Sequence, residues 1–125
     1  MDTIRISTTG RHQVIDITND VAQLLPGGMG VTTVFVQHTT VAITTADMDP
    51  GTDLDLLDFL GGLVPDRHWR HPHDPAHAPS HLLASMIGPS VSVPYVYGQL
   101  LLGTWQHIIM IEFDGPRERS VIVST

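Results

Sequence analysis

The chain has 125 residues, six arginines and no lysine against 13 acidic residues, a formal net charge of −7, and no cysteine. That length makes one domain (1–125), able to bury roughly two-thirds of the surface of the unfolded chain without staples. Without thiols there are no disulfides, thiolate zinc sites, iron–sulfur clusters or cysteine nucleophiles. The acidic balance argues against nucleic acid and anionic membranes as partners, because both require clustered basic residues.

Read in chain order, the sequence is strand-rich with short helices between. Thr3 to Ser7 alternates with a period of two, and His12 to Asp16 follows after Gly10 as an antiparallel partner would. Thr18 to Leu25 predicts a helix capped by Thr18 or Asn19, with Val21, Leu24 and Leu25 as its apolar stripe and Pro26-Gly27-Gly28 as its stop. The β-branched runs Thr32 to Gln37 and Thr40 to Thr45 predict strands. After the Asp49-Pro50-Gly51 turn, Thr52 is expected to cap a helix reaching about Leu63, with Leu56, Phe59, Leu60 and Leu63 toward the core. Pro65, Pro72, Pro75 and Pro79 deny regular structure to the stretch between them. A third helix, Ser80 to Ile87, ends at Gly88-Pro89. Val91 to Tyr97, Gln99 to Leu102, Gln106 to Glu112 and Arg119 to Val123 read as strands, with turns at Gly98 and Gly103. The fold class is α+β, a single domain with mostly antiparallel strands and two or three short helices.

No apolar run is long enough to cross a bilayer, and Met1 to Arg5 lacks the apolar core of a secretory signal, so a cytoplasmic location is expected. Apolar residues make up 42% of the chain, more than a small acidic domain needs, which predicts surface shared between subunits.

Five of the eight histidines, His68, His71, His73, His77 and His81, fall in one 14-residue window. Imidazole is the usual ligand for zinc where no thiol is available. Pro79 is expected to hold Ala78 out of helical backbone, so that His77 and His81 do not share a helix face. His81 then stands alone in the first turn of the third helix, where the dipole favours the neutral ring a metal needs. His71 and His73, two apart, face the same side in extended backbone. The period of two puts Val34, Val36 and His38 on one strand face, so His38 leaves the strand end toward the interior. Three histidines from a strand end, a loop and a helix start would make a catalytic zinc site with one open position. No His-Glu-x-x-His stretch supports a zincin.

Asp47, Asp49, Asp53, Asp55 and Asp58 lie within twelve residues that hold no positive charge. Asp53 and Asp55 suit a helix N-terminus. Asp47 and Asp49, in the turn before it, are the candidates for a catalytic base or for holding Mg²⁺ on a diphosphate. Gly103, Thr104 and Gln106 offer backbone and side-chain donors to an oxyanion at a turn. Ser85 follows His81 by one helical turn, and Arg117 is a candidate anion clamp.

Together, Gln37-His38-Thr39-Thr40, Ser80-His81-Leu82-Leu83-Ala84-Ser85-Met86-Ile87-Gly88, Gly103-Thr104-Trp105-Gln106 and Glu112-Phe113-Asp114-Gly115-Pro116-Arg117 resemble the YjbQ family of secondary thiamine-phosphate synthase-like proteins. The resemblance implies sandwiched sheets, a homotrimer, and a His-lined pocket that holds a divalent metal, zinc above all. It also implies a weak transferase activity joining a hydroxymethylpyrimidine diphosphate to a thiazole phosphate with loss of pyrophosphate. His38 matches the family's His-Thr-Thr/Ser position, His81 its helix-start histidine and His71 the histidine opening the loop. Many members carry Asn-Glu-Asn before an Asp where this chain has Thr44-Thr45-Ala46-Asp47.

The leading expectation is therefore a metal-assisted enzyme on a phosphorylated small molecule. His38, His71 and His81 would hold the metal. Ser85, Gly103, Thr104, Gln106 and Arg117 would receive phosphate, and Asp47 or Asp49 would move a proton or hold Mg²⁺. The alternatives are a zinc-dependent hydrolase and a non-catalytic metal-binding module.

Overall fold

Four consecutive apolar residues, Ile108 to Ile111, cannot form a strand with one wet face, and the strand they form is covered on both. The computed structural model describes residues 1–125. Its elements are β1 (Asp2–Ser7), β2 (Gln13–Asp16), α1 (Thr18–Ala22), β3 (Met29–Val36), β4 (Val41–Ala46), α2 (Thr52–Gly62), a 3₁₀ turn (Pro75–His77), α3 (Ala78–Ile87), β5 (Ser90–Val96), β6 (Gln99–Leu100), β7 (His107–Glu112) and β8 (Glu118–Ser124). A five-stranded sheet runs β1-β8-β3-β5-β6 and a three-stranded sheet β2-β7-β4, antiparallel throughout. The fold is α+β, with the two sheets packed face to face.

The alternation along β7 sorts its side chains between two cores. Ile108 and Met110 point at the larger sheet and pack with Val34, Val36, Val121 and Val123. Ile109 and Ile111 point the other way, onto α2 and α3, with Leu60, Ala84 and Phe113. The layers are therefore sheet, sheet and helices.

Several expectations change in three dimensions. β1 and β2 do not pair with each other. β1 takes β8 and β2 takes β7, because the chain crosses from one sheet to the other over residues 8–12. α1 stops at Ala22, and the residues to Leu25 tighten into three-residue turns, Leu24 N–H donating to the Val21 carbonyl and Leu25 N–H to that of Ala22. Neither Thr18 nor Asn19 caps it. The Thr18 hydroxyl instead donates to Asp16 and accepts from Ile108 N–H, tying α1 to β7. In α2 only Leu60 is buried, whereas Phe59 and Leu63 are 64% and 49% exposed, because α2 covers the small sheet along a narrow line. Pro79 does not expel Ala78 from the helix. It sits in the first turn of α3, where a missing N–H removes no hydrogen bond, and Ala78 has helical angles of −55° and −44°.

Ile109→Ala is expected to cost about 2–5 kcal/mol in urea unfolding. Phe59→Ala should stay within about 0.5 kcal/mol.

Candidate functional site

Three times the chain passes between the sheets at the same end of the sandwich: residues 8–12 (β1 to β2), 37–40 (β3 to β4) and 113–117 (β7 to β8). These corners bond to one another. Thr8 N–H donates to the Arg117 carbonyl at 2.9 Å, Phe113 N–H to that of Thr40 at 3.0 Å, and Gly115 N–H to that of Arg11 at 3.0 Å. Gly115 has no room for a side chain, since a Cβ there would collide with the Gly10 carbonyl and the Thr8 hydroxyl.

At their centre, Glu112 and Arg119 form a fully buried ion pair. Arg119 Nε donates to Glu112 Oε1 at 2.8 Å, and Nη2 bonds Oε2. Thr8 Oγ1 donates to Oε1 at 2.8 Å and Asp114 N–H to Oε2 at 3.1 Å, while Arg119 Nη2 donates to Thr40 Oγ1 at 2.9 Å. Burial alone would raise the Glu112 carboxyl. The hydrogen bonds from Arg119, Thr8 and Asp114, together with the charge of Arg119, outweigh it and hold the group below its ordinary 4.5.

His38 hangs from this pair. As its alternation with buried Val34 and Val36 predicts, it leaves β3 inward, half-buried, at the edge of the network. Ser120 N–H donates to its Nε2 at 3.0 Å, and Arg119 Nη1 donates toward its Nδ1 at 3.2 Å. Both approaching groups are donors, so a protonated ring would satisfy neither. Burial first, and the Arg119 charge next, lower His38 below its ordinary 6.5, against an opposing pull from Glu112.

Beside His38 lies a cleft of about 350 Å³ lined by no apolar side chain, with Thr39, His77, His81, Asp114, Arg117 and Arg119 on its walls. Arg117 Nη2 donates to Asp114 Oδ2 at 3.0 Å, and His77 Nδ1 is 3.6 Å from the same oxygen. Ser80, buried at the start of α3, donates to the Phe113 carbonyl at 2.9 Å and fastens the helix to the corner. A second recess, lined by His38, Thr39, His81 and Ser85, adjoins the first. The His71 ring stacks on that of His81, centres 5.0 Å apart and planes 18° from parallel. The fold thus gathers His38, His71, His81, Ser85 and Arg117. It adds His77, Asp114 and Arg119, which sequence reasoning passed over. His77 was hidden by the mistaken effect of Pro79, since both it and His81 reach the cleft.

The remaining candidates sit elsewhere within the chain. β4 pairs with β7 from Val41 opposite Glu112 to Ala46 opposite His107, and Asp47, Asp49 and Gly103 to Gln106 lie beyond the latter end. Six-residue strands put about 17 Å between the two ends. There Asp47 accepts from Asp49 N–H and the Thr52 hydroxyl, both at 3.3 Å, and Gln106 Oε1 accepts from Gly103 N–H at 2.7 Å. These bonds shape loops, and Asp47, Asp49, Gly103, Thr104 and Gln106 do not enter the cleft of their own chain. Trp105, in the same turn, is exposed.

The three-histidine metal centre does not fit this arrangement. Both His38 nitrogens face N–H donors, His71 Nδ1 accepts from Asp74 N–H at 3.3 Å, and no three His, Asp or Glu side chains converge as a ligand set. What does converge is a group of imidazoles and guanidiniums suited to an anion.

Residues 2–125 match the family model described as UPF0047 protein YjbQ-like. The chain is similar to a UPF0047 protein of Archaeoglobus fulgidus, 40% identical over 121 residues that cover 96% of each chain. It is also similar to UPF0047 protein YugU of Bacillus subtilis, 36% identical over 127 residues covering 98% of this chain and 96% of YugU. Among solved structures, hypothetical protein APE1520 from Aeropyrum pernix K1 superposes with a TM-score of 0.90 at 37% identity, covering 98% of this chain and 95% of that one. The conserved hypothetical protein TT1486 from Thermus thermophilus gives 0.90 at 32% identity, covering 99% and 98%.

The depressed His38 and Glu112 set the acid response. The unfolded chain takes up a proton at residue 38 near 6.5 while the folded chain resists it, so stability falls as pH drops below about 6.5. Glu112 contributes above 4.5 and loses that contribution as pH falls through its lower folded value. His38→Gln should remove the first part of the decline in a series of urea midpoints against pH and leave the second. Glu112→Gln, which strands a buried guanidinium, should cost about 3–5 kcal/mol at neutral pH.

Proposed function

Because the chain belongs to the YjbQ (UPF0047) family, we propose that the cleft between the β3–β4 corner and α3 binds the phosphate or diphosphate of a small molecule and acts on it as a thiamine-phosphate synthase-like transferase. One observation carries the reading. A protein of net charge −7 with six cationic side chains places Arg117, Arg119, His38, His77 and His81 around one wholly polar cleft. Its volume, about 350 Å³, suits a small ligand and not a polymer.

In the transfer, the bond between the pyrimidine methylene carbon and the diphosphate oxygen breaks while the thiazole nitrogen bonds to that carbon, releasing pyrophosphate. Negative charge grows on the departing oxygen. Preorganised N–H donors aimed there lower the barrier. Arg117 and the imidazole of His81 are the donors that face the cleft; Asp114 holds Arg117 in place at 3.0 Å, and His77 stands between two carboxylates, its nitrogens 3.2 Å from Asp74 and 3.6 Å from Asp114. Arg119, neutralised by Glu112, orients His38 and keeps the wall rigid. Any Mg²⁺ on the diphosphate enters as part of the substrate.

The same reading takes the chain as one subunit of a homotrimer. Met29, Val31 and Phe35 stand 76%, 55% and 42% exposed in a row on the outer face of the five-stranded sheet, an apolar surface that association would cover. No helix is long and apolar enough to cross a membrane. The same reading takes the activity as cytoplasmic, where small phosphorylated substrates would be met.

The test is pyrophosphate release by the pure protein supplied with the pyrimidine diphosphate and the thiazole phosphate. Arg117→Ala and His81→Ala should each lower kcat/KM about 100-fold. Turnover that survives both substitutions intact would overturn the assignment.

A further inference from the structure

Two more arginines stand next to the first cleft. Arg67 and Arg70 line a neighbouring one of about 330 Å³, whose wall includes His71 and shares His81 with the first. Four of the chain's six arginines therefore face two clefts with one histidine between them.

The two pairs differ in how their charge is met. Arg117 and Arg119 each hold a carboxylate, Asp114 and Glu112. Neither Arg67 nor Arg70 has a carboxylate within ion-pair distance. The Arg67 guanidinium lies over the Trp69 ring, 4.9 Å from its centre, a contact that orients the cation without neutralising it. His71 is similarly prepared. Its Nδ1 accepts from Asp74 N–H, which leaves Nε2 as the N–H donor of the neutral ring, and stacking on His81 fixes its plane. Unneutralised guanidiniums beside an oriented imidazole donor are a site that gains most from a dianion.

Building on the reading of the first cleft, we infer that the second is a separate anion subsite. It takes the phosphate group of a second small molecule on Arg67, Arg70 and His71, with His81 between the two bound anions. The charge of −7 and the small volume select a compact phosphate over a polyanion. A chain that joins two phosphorylated molecules needs two such places, and the shared wall would bring their reacting ends together at His81.

Inorganic phosphate titrated into the intact protein, followed by the imidazole resonances of each histidine, separates the subsites: His77 reports the first cleft and His71 the second. Both should shift in the native chain. Combined Arg67→Ala and Arg70→Ala should weaken the dissociation constant read at His71 about tenfold or more, while that read at His77 stays within about twofold. Both arginines are exposed, so an unchanged urea midpoint will confirm an intact fold. A His71 resonance that does not move, or moves equally in the double variant, overturns the inference. If His77 still responds, the first cleft stands without the second; if neither responds, the phosphate reading of both fails.

Discussion

The buried pair of Glu112 and Arg119 is the constraint on which the cleft end of the molecule depends. Glu112 ends β7 in one sheet and Arg119 is the second residue of β8 in the other, so the pair clamps the sheets where the chain crosses between them. Thr8 from the first sheet crossing bonds the carboxylate, and Thr40 from the second bonds the guanidinium. Taking two such charges out of water is expensive, and only nearly complete hydrogen bonding offsets the cost. The gain is geometric. Each corner can satisfy the pair in one position only, and those positions set His38, Asp114 and Arg117 around one cleft.

The electrostatics follow from that frame. A strongly acidic surface repels polyanions, while Arg117, Arg119, Arg67 and Arg70 line two adjoining clefts at one end. Where a carboxylate meets a guanidinium, as at Asp114 with Arg117, the charge is partly met and the side chain is held. Where none does, at Arg67 and Arg70, the charge remains available to a ligand. His38, lowered by burial and by its arginine neighbour, stays neutral beside them and adds no repulsion to the cluster.

Much of this was legible in the residues. The period-two placement of His38 behind Val34 and Val36 holds in three dimensions, because a buried strand face dictates where the next side chain of that face must go. The helix-start position of His81 and its one-turn relation to Ser85 hold for the same local reason. Phe59 and Leu63 failed as core residues, since periodicity names a face without saying how wide its cover is. Pro79 does not part His77 from His81, because in a first helical turn proline is well tolerated and Ala78 keeps helical angles.

The sequence alone determined what local physics controls: strand alternation, the helix stop at Gly88, the polar histidine-rich connection and the acidic balance. Each depends on side chains a few residues apart. Tertiary structure alone decided which strands pair, and hence that Glu112 meets Arg119 while Asp47, Asp49 and the Gly103 turn lie at the opposite end. β1 pairs with a strand over a hundred positions away, not with its neighbour β2, because burying both faces of β7 required the chain to divide itself between two sheets.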